Sequence, residues 1–507
     1  VSPASIDHDE LRAGVDRVLN RWPTAGLAAG VVHGGSLAWF HGHGFADIRA
    51  RTPVTEDTVF RIASITKTVT AIAVMQLEEQ GLVDLDAPAN EYLRAVRLIR
   101  AKAGFRPPTL RHLLTHTAGV RALRRASDLL RPALGWEVPL GRAPSLAEYY
   151  RGGLRVDVEP GTKWAYSNHG FAALGQVVED VSGIALDRYL RERVFEPLGM
   201  ESSDLVRSER VRGRLATGYA LGSRGLEAVR DREIATAGAS AVYSTTRDMA
   251  RYAAALLGGG ANGHGSVLRP ETLARMFAQH HQPDPRVPGM GLAFFRDEVD
   301  GHRTVGHDGI WMGFRTDMVL APDAAIGVVA LANTGWFDPR GAPGPVANAL
   351  LRTLLGLPDD VVRSDLPQHP EAWGDLCGWY SFGPGVLTDP QPRMLLGAGV
   401  EVVVRRKRLT IRGQMPIPAV RRGLQLHPDG DDPDAFRVDL SAIGAGTSRV
   451  VFSRGPTGEV TALHVGLTGM SLRKRPAARN PRPWLGGALA AGAAALAARG
   501  RRRTAHR

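Results

Sequence analysis

The stretch Arg61–Gly81, "RIASITKTVTAIAVMQLEEQG", places one of only five lysines in the chain three residues after a serine; every other basic residue is arginine. Read as a helix, it sets Ile65, Val69, Ile72 and Leu77 largely along one face, and Gly81 supplies a stop. Ser64 then opens the helix, and Lys67 lies one turn on, on the same side. A helix N-terminus offers unpaired N–H groups and positive potential. That potential, together with burial, lowers a lysine pKa toward neutrality. A neutral amine can accept a hydroxyl proton, whereas arginine stays charged and cannot. The pattern therefore fits a nucleophile beside its base. It is not specific alone, since five lysines give roughly a quarter of one chance Ser-x-x-Lys match. A second copy, Ser471-Leu472-Arg473-Lys474, lies in a β-like run where positions three apart point to opposite faces.

Working outward, "LAAGVVHGGSLAWFHGHGFAD" near the N-terminus alternates like strands, and helical patterns follow at 66–80, 109–115, 169–182, 246–257 and 270–279. "FRTDMVLAPDAAIGVVALAN" reads as two strands, Met318 to Leu320 and Ile326 to Leu331, about Pro322-Asp323. Strands at both ends with helices between predict an α+β fold, an antiparallel sheet with helices packed on it. At 507 residues the chain is too long for one ordinary core. A polar, Pro-bearing linker is expected over 358–373, after a domain at 1–357. Short β-rich runs over 374–475 predict a small all-β barrel or sandwich.

Ten of the +12 formal charges fall within 473–507, leaving only +2 on the rest, so nucleic acid is not an expected partner. The tail, 476–507, is basic and Ala/Gly-rich. It is expected to be disordered, with weak membrane-surface contact as the alternative. The single cysteine, Cys377, excludes an internal disulfide, and no metal site or cofactor is expected: His41-x-His43 and His280-His281 lack ligand partners. No signal peptide is visible, which favours a cytoplasmic location, although the sequence begins without Met.

Two further segments carry polar groups suited to the same chemistry. Tyr166-Ser167-Asn168 precedes a helical pattern, and His307-Asp308-Gly309 enters the predicted hairpin. A phenol near an amine can relay protons, and an amide can bind a carbonyl. Glycines at 306 and 309 let a strand edge lie close to a substrate. Read singly, Asn168 could be an N-cap, Tyr166 a packed ring and His307 a strand-end surface residue.

With the three motifs in this order, and with "LRHLLTHTAGV" and "ASAVYSTTRDMARY" besides, residues 8–355 resemble the serine β-lactamase-related, penicillin-binding-protein-like hydrolases. The similarity is to the class C β-lactamase, esterase and D-aminopeptidase branch. The resemblance implies a helical lobe beside an antiparallel sheet flanked by helices. It also implies Ser64 as nucleophile, Lys67 and Tyr166 as the proton-handling pair, and Asn168 and His307 as substrate-binding groups. An oxyanion hole would come from the N–H groups of Ser64 and of Ile310, the residue after Gly309. The third motif departs from the family's usual Lys-Thr-Gly. A titratable histidine beside an acid is a poor carboxylate clamp. That turns the expectation toward small-molecule esters, amides or amine-bearing D-amino acid peptides, with Asp308 attracting an ammonium. The alternatives are a D-Ala-D-Ala carboxypeptidase or β-lactamase, and a catalytically silent binding or scaffold module.

Overall fold

The structure is a computed structural model, which describes residues 7–335, 341–414, 417–441, 446–466 and 470–481. Its central sheet has eight strands: β1 (Gly26–His33), β2 (Ser36–Asp47), β3 (Thr52–Pro53), β4 (Gly289–Met290), β5 (Phe295–Val299), β6 (His302–Trp311), β7 (Phe314–Ala321) and β8 (Ile326–Ala332). They run in the order β4-β5-β6-β7-β8-β1-β2-β3, and all neighbours are antiparallel. The first and last strands of this sheet in chain order thus meet within it, where β1 pairs with β8 through Leu27↔Ala332 and Val31↔Val328.

β8 is buried throughout and β1 from Gly26 to Val32, because each face of the sheet is covered. Leu27, Ala29 and Val31 join Val328 and Ala330 under two helices, α1 (His8–Arg21) and α5 (Pro343–Leu354). Ala28, Val32, Val329 and Leu331 face the larger helical lobe. That lobe contains α2 (Thr66–Glu79), α3 (Asn168–Ser182) and α4 (Thr246–Leu257). The expected one-sided stripe on α2 is corrected here. Thr66 to Met75 are all buried, so the helix runs through the core rather than across its surface. The α+β class read from the sequence is the observed one.

After α5, residues 358–372 contain no helix or strand. A closed antiparallel barrel follows, built of β9 (Gly378–Ser381), β10 (Gly399–Arg405), β11 (Arg408–Gly413), β12 (Leu424–Pro428), β13 (Ala435–Asp439), β14 (Thr447–Arg454), β15 (Val460–Val465) and β16 (Met470–Arg475). β9 closes onto β16 through Tyr380↔Lys474. Ser471 hydrogen-bonds His464 at 2.8 Å, whereas the Lys474 amine reaches the Asp375 carbonyl, so the second Ser-x-x-Lys is split across the strand.

The barrel is fastened to the sheet-and-helix body by polar contacts. Arg286 pairs with Asp284 at 2.9 Å and Asp432 at 2.8 Å, and Ser453 donates to Asp284 at 2.5 Å. On another side Lys163 pairs with Asp389 at 2.7 Å, and the Ala122 N–H donates to the Leu387 carbonyl at 2.8 Å. The tail expected to be disordered lies outside the described residues from 482 onward. Among the described residues no helix is long and apolar enough to cross a membrane.

Candidate active site

Ser64 sits on a short 3-10 turn, Ala63–Ile65, that runs directly into α2. The residue before it, Ala63, has φ 47°, a left-handed conformation that costs a non-glycine residue about 1–3 kcal/mol. The sheet holds this turn in place. The Thr316 hydroxyl on β7 donates to the Ile62 carbonyl at 2.9 Å, and the Ile62 N–H donates to the Val242 carbonyl at 3.0 Å. Gly309 on β6 lies so close that an added Cβ would stand 2.3 Å from the Thr316 Oγ1, 2.5 Å from the Ile62 carbonyl oxygen and 3.1 Å from the Ala63 Cβ. The glycine is therefore required by close approach of the strand to the serine turn.

Lys67 lies one turn along, fully buried, with its Nζ 2.9 Å from the Ser64 Oγ and 2.9 Å from the Ala239 carbonyl oxygen. Burial drives its pKa well below the usual 10.5, and the negative Asp308 opposes that shift only in part. The Nζ also stands 4.7 Å from the centre of the Tyr166 ring. Burial pushes the Tyr166 phenol far upward, while a hydrogen bond with the Ser64 side chain pulls it partly back. The environment thus favours the uncharged form of the amine and the protonated form of the phenol, both at the serine.

Tyr166 and Asn168 are held by the start of α3. Ser167, not Asn168, is the N-cap: its Oγ accepts the Gly170 N–H at 3.2 Å. The Asn168 side chain is left to line the cavity at Ser64, and its buried Oδ1 finds no protein partner. A residue not given a role from the sequence, His116, braces this segment. Its Nδ1 accepts the Ser167 N–H at 3.1 Å, and its ring lies 4.3 Å from that of Tyr166. The only signal for it was its place in "LRHLLTHTAGV".

On β6, alternate side chains separate the third motif. His307 points inward and is buried, and Asp308 and Ile310 face the cavity that Ser64 also lines. Burial and the nearby Lys67 lower the His307 pKa to about 4. Near neutral pH the imidazole is therefore an uncharged, interior ring, not the strand-end surface residue that its single-residue reading allowed. Its Nδ1 lies 2.6 Å from the Asp308 carbonyl oxygen, and its ring centre is 6.2 Å from that of Tyr166. Trp136, Trp164, Phe295 and Trp311 form an aromatic wall to the same cavity. None of the four was singled out by motif. Among the described residues no group of His, Cys, Asp and Glu is arranged to hold a metal ion.

Comparison with known proteins agrees with this architecture. The chain is 31% identical over 386 residues to the esterase EstB of Burkholderia gladioli, covering 68% of this chain and 95% of that protein. It is 30% identical over 361 residues to the unguisins hydrolase ungD' of Aspergillus campestris, covering 68% of this chain but only 65% of that one. A D-aminopeptidase of Cereibacter sphaeroides is 25% identical, with 78% of this chain and 69% of that protein aligned. Among solved structures, the octameric penicillin-binding protein homologue from Pyrococcus abyssi superposes with a TM-score of 0.61 at 23% identity. It covers 92% of this chain and all of that one, a share that must include most of the barrel. The Beta-lactamase family profile matches residues 15–351, well over half of the sequence, and this chain belongs to that family.

Proposed function

We propose that this protein is a serine hydrolase that cleaves an ester or amide bond through an acyl-enzyme on Ser64. The observation that carries the reading is the 2.9 Å approach of a fully buried Lys67 amine to the Ser64 Oγ, with the lysine driven toward neutrality. As the Ser64 oxygen forms its bond to the substrate carbonyl carbon, its proton passes to the Lys67 lone pair. The carbonyl oxygen takes up negative charge and is held by the N–H groups of Ser64 and Ile310. Collapse of this intermediate breaks the bond to the leaving oxygen or nitrogen, which takes a proton through Lys67 and Tyr166. Tyr166, held as a phenol, serves as a donor on this path rather than as the first base. Water then attacks the acyl-enzyme by the reverse route, freeing the acid and Ser64. Asn168 lines the cavity beside Ser64 and offers its side-chain N–H to the substrate carbonyl, leaving its unpaired Oδ1 to accept a substrate N–H.

The neutral His307 offers no fixed cation for a substrate carboxylate. That favours esters and amides over β-lactams and D-Ala-D-Ala peptides. The test is a fluorophosphonate label and p-nitrophenyl acetate on wild type and Ser64→Ala. Labelling and turnover are expected in the wild type alone, and nitrocefin should remain uncleaved. Silence of the wild type in both assays favours a binding or scaffold module instead. A second reading, an amine-bearing D-amino acid substrate, rests on Asp308 facing the cavity at Ser64. It predicts that Asp308→Asn selectively weakens turnover of N-free over N-acylated amides, and an unchanged preference would remove it.

A further inference from the structure

The cavity that holds Ser64 does not stop at the serine. A single cavity of ≈ 490 Å³ is bounded at one side by Ser64, Tyr166 and Asn168 and at the other by Val400, Val438 and Val450, which belong to the barrel. An eight-stranded barrel either fills its bore with side chains or encloses one small ligand. Here Tyr380, Phe436 and Phe452 pack ring against ring in the barrel core, at 5.7 and 5.8 Å between centres, without lining the cavity. The strand positions that do line it are mainly valine, leucine and isoleucine, short enough to leave a chamber.

Away from Ser64, Asn168 and Asp308, polar side chains toward the barrel end of the cavity are already engaged. Lys163 is paired with Asp389 at 2.7 Å, Arg412 with Glu401 at 2.7 Å, and the Ser471 hydroxyl with His464 at 2.8 Å. A polar ligand entering the bore would lose water without gaining partners. An alkyl chain loses nothing polar and gains from each methylene removed from water. The bore of so small a barrel is narrow, which suits a linear chain better than a fused-ring body.

We propose that the barrel is the chain-binding compartment of the active site, taking the long alkyl chain of a lipid-like ester or amide whose carbonyl end reaches Ser64. The proposal rests on the serine-hydrolase reading above. The chain can belong to the acyl or the alcohol side of the substrate, and two substrate series separate these sources. One runs p-nitrophenyl acetate, butyrate, octanoate and decanoate; the other runs acetate esters of alcohols of rising length.

In one of the two series kcat/KM is expected to climb by up to roughly fourfold per methylene, and at least a hundredfold overall, before levelling when the chamber is full. Val450→Trp, which fills the bore, should cut the ratio of long-chain to acetate kcat/KM at least tenfold. Wild-type protein should also bind cis-parinaric acid with enhanced fluorescence, displaced by decanoic acid, a measurement that needs no variant. A flat profile in both series, with acetate turnover intact and no parinaric acid binding, would overturn the compartment and leave the Ser64 chemistry standing. Absence of fluorophosphonate labelling and of turnover for every ester would instead sink the hydrolase reading, and the compartment as a substrate site with it.

Discussion

At the scale of single residues, Lys67 shows how burial makes a base. In the unfolded chain its amine holds a proton up to the ordinary 10.5; in the folded chain burial releases it well below that. Between those limits the unfolded state binds more protons, so stability rises with pH. Wild type should therefore gain on Lys67→Met as pH is raised toward 10.5 from below, by up to ~1.4 kcal/mol per pH unit, measured by urea unfolding at each pH. The same depressed pKa sets an acid limb on kcat/KM, with activity rising as Lys67 deprotonates. Lys67→Arg should lower kcat/KM by about a thousandfold or more, because a guanidinium cannot take the serine's proton. A pH–rate profile of wild type and stopped assays of the variant check both points. His307 illustrates the same physics from the other side: burial beside Lys67 leaves it neutral, at about 4.

Elements place these residues by packing rather than by their own preferences. α2 begins where a strained Ala63 turns the chain, and that turn is pinned between β6 and β7. A methyl at 309 must displace either the Thr316 hydroxyl or the backbone that carries Ser64. Gly309→Ala is expected to cost about 1–3 kcal/mol of stability. It should also reduce kcat more than tenfold while fluorophosphonate still labels Ser64, slowly; thermal unfolding and labelling rates distinguish this from loss of the fold. The barrel's β10–β11 hairpin turns at Arg406 and Lys407, both with positive φ, at 50° and 59°. Asn or Gly would have announced such a turn; two long basic residues conceal it within the β-rich residues around it.

For the whole molecule, the barrel matters because it closes over the same cavity that Ser64 opens into. Lys163, just ahead of Tyr166, reaches across to the carboxylate of Asp389 and to the carbonyl of Pro384 at 2.9 Å. Asp389 also holds Arg393 at 2.7 Å, so removing the lysine weakens the clasp without stranding the acid. Lys163→Ala should lower stability by about 2 kcal/mol. Hydrogen exchange should rise selectively in the 383–389 segment, with smaller changes in the sheet. If exchange there stayed at the wild-type level, the clasp would not be what holds this segment to the body.

The sequence by itself determined that Ser64 and Lys67 would meet, since three residues on a helix are one turn, a distance set by local geometry. It also carried the order of the motifs, the α+β class and a β-rich C-terminal region, because strand alternation and helical periodicity are short-range signals. Only the tertiary structure decided the rest. Whether α2 showed a face to water or ran through the core depended on residues far away in sequence, as did the neutrality of His307. So did the bracing of Tyr166 by His116, and the joining of a barrel interior to a serine more than 300 residues earlier. Burial and enclosure are properties of what surrounds a group, and that is assembled from distant segments only when the chain folds.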